Sequence, residues 1–183
     1  MLEDEKNLIK KAKDGESHAF GLLYDWYLPK IYRFVLLKVS HREEAEDITH
    51  QVFLKAWTGI ADYNHRGFPF GSWLYRIARN SVIDHYRSSG RVGTEISLES
   101  AGIELPDSEN KDSKIDSKLQ LEVIMQSIPR LKEVEQDVLL MRFVDDMPHE
   151  EVANVIGKSV GATKLIQHRA IRNLKDILKH DRR

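Results

Sequence analysis

Few side chains in this sequence have the spacing that a catalytic or metal site requires. Asp47 and His50 form a carboxylate-x-x-His half-motif of the kind found in di-iron bundles, but no second copy completes such a site. The eight His are scattered, and no phosphate-binding glycine loop, nucleophile elbow or His-x-x-x-His pair occurs. The absence of Cys excludes disulfides, thiolate metal sites and cysteine nucleophiles. The sequence therefore predicts no catalytic residues, no metal and no cofactor.

The most specific functional signal is a helix-turn-helix pattern over residues 148–170. A short apolar helix leads to Gly157, which can adopt the left-handed conformation that a sharp turn needs. Ser159 is expected to cap a second helix. The polar positions of that helix are suited to a DNA major groove, and they carry Lys164, Gln167, His168, Arg169 and Arg172. From residue 158 onward, eight basic side chains stand against two acidic ones, which favours phosphate contacts. An ordinary helical hairpin is the alternative interpretation.

A second candidate site interleaves aromatic and arginine side chains. From residue 66 to residue 91, five Arg stand against a single acidic residue, Asp84. Aromatic rings and guanidinium groups together form a platform that stacks on unpaired bases and binds their phosphates. Trp73 has the spacing of a core residue. Base contacts are expected from the aromatic residues in or beside the Gly/Pro-containing loop, namely Tyr63, Phe68 and Phe70.

The elements that would position these residues are helices, because helical spacing of apolar residues dominates and no strand-length alternation competes with it. A first helix is predicted to end near residue 14. A second begins after an N-cap at Ser17 and breaks at Pro29, where a third begins. Further helices are predicted over 42–58 and from about 70 to 87. Acidic residues at the start of the 42–58 helix either stabilise its positive end or offer an acidic face to a basic partner.

Helical spacing on both sides of a polar, acidic stretch predicts an all-α protein of two small helical domains joined by a flexible acidic linker. The linker spans 90–118, carries a net charge of −3 and separates an N-terminal domain, 1–89, from a helix-turn-helix domain, 119–183. No apolar run approaches the roughly 20 residues that a membrane span needs, so membrane insertion is not expected. The acidic first residues lack an apolar signal core, which predicts a cytoplasmic location.

Taken together, these motifs resemble those of bacterial RNA polymerase sigma factors of the extracytoplasmic-function group. The resemblance is carried by EAEDITHQVFLKAW at 44–57, SWLYRIARN at 72–80 and LLMRF at 139–143, followed by the helix-turn-helix. It implies an alternative sigma factor that binds core RNA polymerase, at its largest-subunit clamp and its flap, and directs it to promoter DNA. It also implies an anti-sigma factor as a partner. A free-standing helix-turn-helix regulator and a metal-dependent helical oxidase are the alternatives.

The resemblance implies three groups of site residues. Docking on core RNA polymerase is implied for Asp47, His50, Gln51 and Lys55. Capture of the promoter −10 element is implied for Tyr63, Arg66, Phe68, Phe70, Arg76, Arg79, Asn80, Asp84 and Arg87. Recognition of the −35 element is implied for Lys158, Ser159, Val160, Ala162, Lys164, Gln167, His168, Arg169 and Arg172. Two places depart from the family pattern: His50-Gln51, where Gln and an acid are usual, and Leu165-Ile166, where Ser-Arg is common.

Overall fold

The computed structural model describes residues 4–64, 67–89 and 121–181, and every regular element in these ranges is helical. The N-terminal module, residues 4–89, contains α1 (Glu5–Lys13), α2 (Ser17–Val39), α3 (Arg42–Gly59), a short 3₁₀ turn (Ile60–Asp62) and α4 (Phe70–Ser89). The C-terminal module, residues 121–181, contains α5 (121–127), a 3₁₀ turn (Ile128–Arg130), α6 (Glu133–Leu139), a π-helical turn (Leu140–Val144), α7 (His149–Ile156) and α8 (Val160–Asp181). The predicted all-α class is confirmed, whereas the predicted linker lies outside the described residues.

The predicted helix break at Pro29 is wrong, because α2 runs unbroken through that residue. A proline inside a helix costs about 3 kcal/mol. Burial of an apolar side chain contributes about 1.5–3 kcal/mol, and the two halves of α2 share one buried face. That face stabilises a single continuous helix, and its residues include Leu23, Ile31 and Phe34. Ser17 is the first residue of α2 and not its N-cap, a position that Glu16 occupies.

The core of the N-terminal module is formed by α2, α3 and α4, which pack against one another. α3 turns the predicted apolar face inward, since Ala45, Ile48, Val52 and Ala56 are all buried. Hydrogen bonds then fix α4 on α3. Lys55 Nζ donates to Ser81 Oγ at 3.0 Å, and His85 Nε2 lies 3.1 Å from a Glu44 carboxylate oxygen. These contacts orient the outer faces of both helices, which carry the predicted site residues.

The apolar core continues from the N-terminal module into the C-terminal module. α7 packs on α4, and the π-helical turn packs on α2. Leu140, Met141 and Val152 consequently belong to the same buried cluster as Phe34 and Leu74. A smaller cluster centred on Ala170 joins α8 to α6. The sequence patterns do not predict this direct contact between the modules.

Candidate polymerase and nucleic-acid interface

The outer face of α3 gathers the residues predicted to dock on the polymerase. Asp47, His50 and Gln51 are exposed, and their spacing of three or four residues places them on one side of the helix. Leu54 extends the same side and is 57% exposed, whereas the aliphatic residues Ile48 and Val52 of this helix are buried. The sequence analysis did not select Leu54. This leucine falls outside the helical spacing of the buried residues of α3, and that position could have identified it as exposed. Lys55 differs from the others because its ammonium group is turned toward α4.

The aromatic residues of the loop before α4 form a packed cluster. Tyr63 lies edge-on to Phe70 with ring centroids 5.3 Å apart, and Trp73 lies 5.0 Å from Tyr63. The structure corrects the prediction that Phe70 contacts bases, because its side chain is only 1% exposed. Its ring fills the space between Tyr27, Tyr63 and Trp73 and therefore supports the loop from beneath.

A cavity of about 510 Å³ opens beside this cluster. Its walls include Tyr63, Phe68 and Trp73 from the loop and α4, and Arg76 brings a cation to its edge. Asn154 of α7 completes the lining, so both modules contribute to this cavity. A slot with aromatic walls, a mixed polar and apolar lining and a nearby guanidinium group is suited to an unpaired base and its phosphate. The predicted base-contacting residue Arg66 lies outside the described residues.

One exposed stripe runs along α4 away from the cavity. It consists of Arg76, Asn80, Asp84 and Arg87, whose spacing of three or four residues places them on one face. Arg79, predicted for the same role, points elsewhere. Its Nε lies 2.7 Å from Asp137 Oδ2 and its Nη2 lies 3.1 Å from Glu133 Oε1, both in the C-terminal module. The structure therefore separates Arg79 from the exposed stripe.

The turn between α7 and α8 has the predicted geometry. Gly157 has φ 66°, and this left-handed conformation is the one that its lack of a Cβ permits at low cost. The Ser159 hydroxyl accepts a hydrogen bond from the Ala162 backbone N–H at 3.1 Å. The left-handed glycine and the serine cap are both confirmed.

The exposed surface of α8 and the turn before it carries most of the predicted groove-reading residues. These exposed residues are Lys158, Ser159, Lys164, His168, Arg169 and Arg172. Val160 and Ala162 are half-buried in the first turn, and Gln167 is half-buried with its Oε1 2.8 Å from His149 Nε2. Of the pair that departs from the family pattern, Ile166 is buried, whereas Leu165 is 69% exposed. Leu165 therefore lies on the reading surface, although sequence reasoning did not select it.

Tyrosines beneath the loop and along α4 remain protonated near neutral pH. Burial raises the pKa of Tyr63 and of Tyr86 to about 12. Burial also raises the pKa of Tyr27 and Tyr75, and the Tyr27 hydroxyl donates a hydrogen bond to Glu5. Neutral tyrosines add no negative charge beside a surface that would bind phosphates.

Asp145 is an acidic group held between the two modules. Its side chain is 1% exposed, and the nearest cation is Arg33 of α2, with Nη2 3.9 Å from Oδ1. Neither carboxylate oxygen has a hydrogen-bond partner of normal geometry among the described residues. Burial raises the pKa of Asp145 to about 6, and the adjacent Tyr75 hydroxyl and Arg33 only partly offset that effect. When the Asp145 carboxyl is ionised, the charges and hydrogen bonds around it therefore offset only part of the free-energy cost of its burial.

No cluster of three or more His, Asp or Glu side chains suited to a metal ion occurs within residues 4–64, 67–89 and 121–181. In particular, Asp47 and His50 point outward from α3. None of the helices in the described part of the chain combines the length and apolar character that a membrane crossing requires.

Comparisons with known proteins place both modules in one family. Sigma-70 region 2 matches residues 23–92, and Sigma-70 region 4 matches residues 128–176. The ECF RNA polymerase sigma factor BldN of Streptomyces coelicolor is 37% identical over 96% of this chain and 66% of its own length. The chain thus spans about two thirds of BldN. The ECF RNA polymerase sigma factor SigW of Bacillus subtilis is 29% identical over 95% of this chain and 96% of its own length.

A solved structure gives the same fold. The sigma factor RpoE in complex with the anti-sigma factor NepR from Bartonella quintana matches with a TM-score of 0.66 and 22% identity. The match covers 87% of this chain and 96% of RpoE. At this identity, the likeness shows the fold alone. Because regions 2 and 4 both match in order and relatives align along nearly the whole of this chain, the chain belongs to the extracytoplasmic-function group of RNA polymerase sigma factors, which are initiation factors and not catalysts.

Proposed function

We propose that this chain binds core RNA polymerase in the cytoplasm and directs it to promoters by gripping DNA at two separate places. In this proposal the chain carries no cofactor and no catalytic residue of its own. The observation that supports it most directly is that two distinct exposed polar and basic faces, one on α4 and one on α8, lie in two different family regions. We propose domain boundaries of 1–89, 90–118 and 119–183, with the middle segment as the linker.

The exposed face of α3 is the proposed docking surface for the polymerase clamp. Asp47 offers a charge, His50 and Gln51 offer hydrogen bonds, and Leu54 offers exposed apolar area. Leu54 would add apolar contact area to the charge and the hydrogen bonds of this docking surface. Lys55 serves this surface indirectly, because its bond to Ser81 Oγ fixes α3 on α4.

The loop cavity and the α4 stripe are the proposed site for the single-stranded −10 element. Extruding a base costs a few kcal/mol of lost stacking. Stacking on Phe68 and Trp73 and phosphate contacts from Arg76 and Arg87 would offset that cost. Phe70 is assigned a supporting role, since its ring is buried. Strand separation then follows from binding alone and needs no bond chemistry.

The exposed face of α8 is the proposed reader of the −35 element in duplex DNA. Lys164, Arg169 and Arg172 can contact phosphates or guanine edges, and His168 can form hydrogen bonds with bases. Leu165 adds an apolar contact of the kind that a thymine methyl group accepts. Because the two modules belong to one chain, the second promoter contact becomes intramolecular and adds avidity to the first.

An anti-sigma factor is the further partner that we propose. RpoE, which shares the fold, is solved with the anti-sigma factor NepR. A partner of that kind would cover the docking or promoter-binding surfaces and keep the chain from the polymerase. The flap of the polymerase is the proposed second contact of the C-terminal module.

Run-off transcription with core RNA polymerase on genomic DNA tests this function. Adding the chain is expected to create new transcript starts that share sequence upstream, and Asp47→Lys is expected to remove them. A matched control is Asp25→Lys, which places the same change on the exposed surface of α2. If the chain bound duplex DNA without polymerase and never created a new start, a free-standing regulator would replace this proposal.

A further inference from the structure

A buried carboxylate on α6 contacts two side chains of α8, the helix that carries the proposed DNA-reading face. Glu135 is buried, and each of its two carboxylate oxygens accepts a hydrogen bond from the Asn173 amide at 3.1 Å. Oε2 also accepts a longer bond from the Lys132 backbone N–H at 3.4 Å. Arg169 lies four residues before Asn173 on α8, with its Nε 3.6 Å from Oε1 of Glu135. Glu135 therefore links α6 to both Asn173 and Arg169.

Packing of α8 on α6 does not require a charge at position 135. The two helices already share an apolar cluster that contains Leu131, Leu139 and Ala170. Removing an ion from water lowers stability, and replacing a buried ion pair by apolar side chains of similar volume is often neutral or stabilising. A carboxylate at this position does something that an apolar side chain cannot do, because it attracts and orients a guanidinium group.

The ion pair joins an exposed guanidinium group to a buried anchor. The side chain of Arg169 is 58% exposed, whereas that of Glu135 is 2% exposed. The atom of Arg169 that pairs with Glu135 is Nε, and it is distinct from the two Nη atoms at the end of the group. Those two Nη atoms form the pair of parallel donors that fits O6 and N7 of a guanine or two oxygens of a phosphate. The ion pair thus limits the orientations of Arg169 through an atom that this bidentate contact does not use.

We propose that Glu135 is a positioning residue that holds the Arg169 guanidinium group in the orientation in which it contacts the −35 duplex. Ordering a long side chain at an interface lowers affinity by about 2-fold to 10-fold, and a side chain that is already ordered avoids that loss. Glu135 touches no DNA in this proposal and acts only through Arg169. The effect on promoter binding rests on the proposed function of α8, whereas the restraint of Arg169 does not.

Nitrogen-15 relaxation of the arginine Nε–H groups measures the restraint in the full chain without DNA. In the natural chain, the order parameter of the Arg169 Nε–H bond is expected to exceed that of Arg172, which is exposed three residues further along α8. Glu135→Gln should lower the Arg169 order parameter by at least about 0.2 and leave that of Arg172 unchanged. Arg169→Lys identifies the Arg169 signal by its loss. Equal order parameters for the two arginines in the natural chain would overturn the proposal.

Binding of the holoenzyme to a promoter mapped by run-off transcription tests the consequence for DNA. Glu135→Gln removes a negative charge, which by itself would strengthen the attraction to DNA. The proposal predicts the opposite sign, namely binding about 2-fold to 10-fold weaker than that of Glu150→Gln. Glu150→Gln is the matched control, since it removes the same charge on the exposed surface of α7. The proposal is rejected if folded Glu135→Gln, as judged by circular dichroism, binds as tightly as Glu150→Gln or more tightly.

A double-mutant cycle separates the positioning of Arg169 from a general role in folding. If Glu135 acts through Arg169, Glu135→Gln should weaken promoter binding in the natural chain and should cause no further loss once Arg169→Ala is present. A loss of equal size in both backgrounds would mean that Glu135 supports α8 as a whole, and positioning would be rejected. If Glu135→Gln fails to fold, Glu135→Asp replaces it in each measurement, because it keeps the charge and withdraws the carboxylate by one methylene group.

Two further results of the same binding series identify what Arg169 contacts. Loss of a phosphate contact in Arg169→Ala lowers by about one the slope of the logarithm of the binding constant against the logarithm of the salt concentration. Loss of a guanine contact instead relaxes the preference for one base pair. If Glu135 orders Arg169 but Arg169→Ala leaves promoter binding unchanged, the restraint is supported and the proposed reading role of Arg169 is rejected.

Discussion

Replacing Asp145 by Asn should stabilise the folded chain, and the gain should depend on pH. The pKa of Asp145 is raised from 3.8 to about 6 by burial, so the folded state favours the protonated carboxyl. For a carboxyl with a raised folded-state pKa, stability is highest at low pH and is lost as the pH climbs from 3.8 to about 6. Since each pKa unit corresponds to about 1.4 kcal/mol, the ionised group destabilises the fold by about 3 kcal/mol near neutral pH. The side chain is only 1% exposed, so solvent screening does not reduce this value much.

Urea unfolding at a series of pH values, followed by circular dichroism, measures this gain. Asp145→Asn should unfold at higher urea than the natural chain at about pH 7.5, and the two should converge as the pH falls toward 4. Asp25→Asn is the control, because Asp25 lies exposed on α2. The reasoning is refuted if Asp145→Asn is less stable than the natural chain at neutral pH, or if its difference from the natural chain does not change with pH.

Two further predictions concern the loop support and the reading helix. Gly71→Ala should lower the free energy of unfolding by about 1–3 kcal/mol, because an added Cβ would lie 2.8 Å from the Tyr27 ring. Gly21→Ala, where no atom lies within 4 Å of the added Cβ, should not destabilise and serves as its control; equal losses in the two variants would contradict the steric argument. Arg172→Ala should weaken binding of the holoenzyme to every promoter sequence by a similar factor. It should also reduce by about one the slope of the logarithm of the binding constant against the logarithm of the salt concentration, as measured by fluorescence anisotropy from low to physiological salt. An unchanged slope would remove Arg172 from the phosphate contacts.

Local rules predicted the helix-turn-helix well because its decisive interactions lie within a few residues. Gly157 adopts its left-handed conformation through its own lack of a Cβ, and Ser159 caps a backbone N–H three residues ahead. Pro29 shows where local rules fail. The proline signals a break, but the face that it interrupts is buried along its whole length, so tertiary packing outweighs the local cost.

The sequence predicted where the candidate site lies more successfully than it predicted how the side chains of the site are oriented. Helical spacing predicted which residues lie on α3, α4 and α8, but Tyr63 and Phe70 are buried by rings from other elements. Arg79 is diverted by Asp137, which is 58 residues away in the sequence. The partner of Lys38 is 99 residues away. Such pairings depend on how the modules meet, and no local pattern encodes that contact.

Permanganate and DNase footprints of the holoenzyme on one mapped promoter test most directly whether one module separates the DNA strands while the other binds the duplex. Arg76→Ala should abolish permanganate reactivity of unpaired thymines near the start site and leave the upstream duplex protected. Arg169→Ala should weaken upstream protection, whereas melting should recover when the polymerase concentration is raised. If either variant lost both signals in equal proportion, the account of one module that separates strands and another that holds intact duplex would be contradicted.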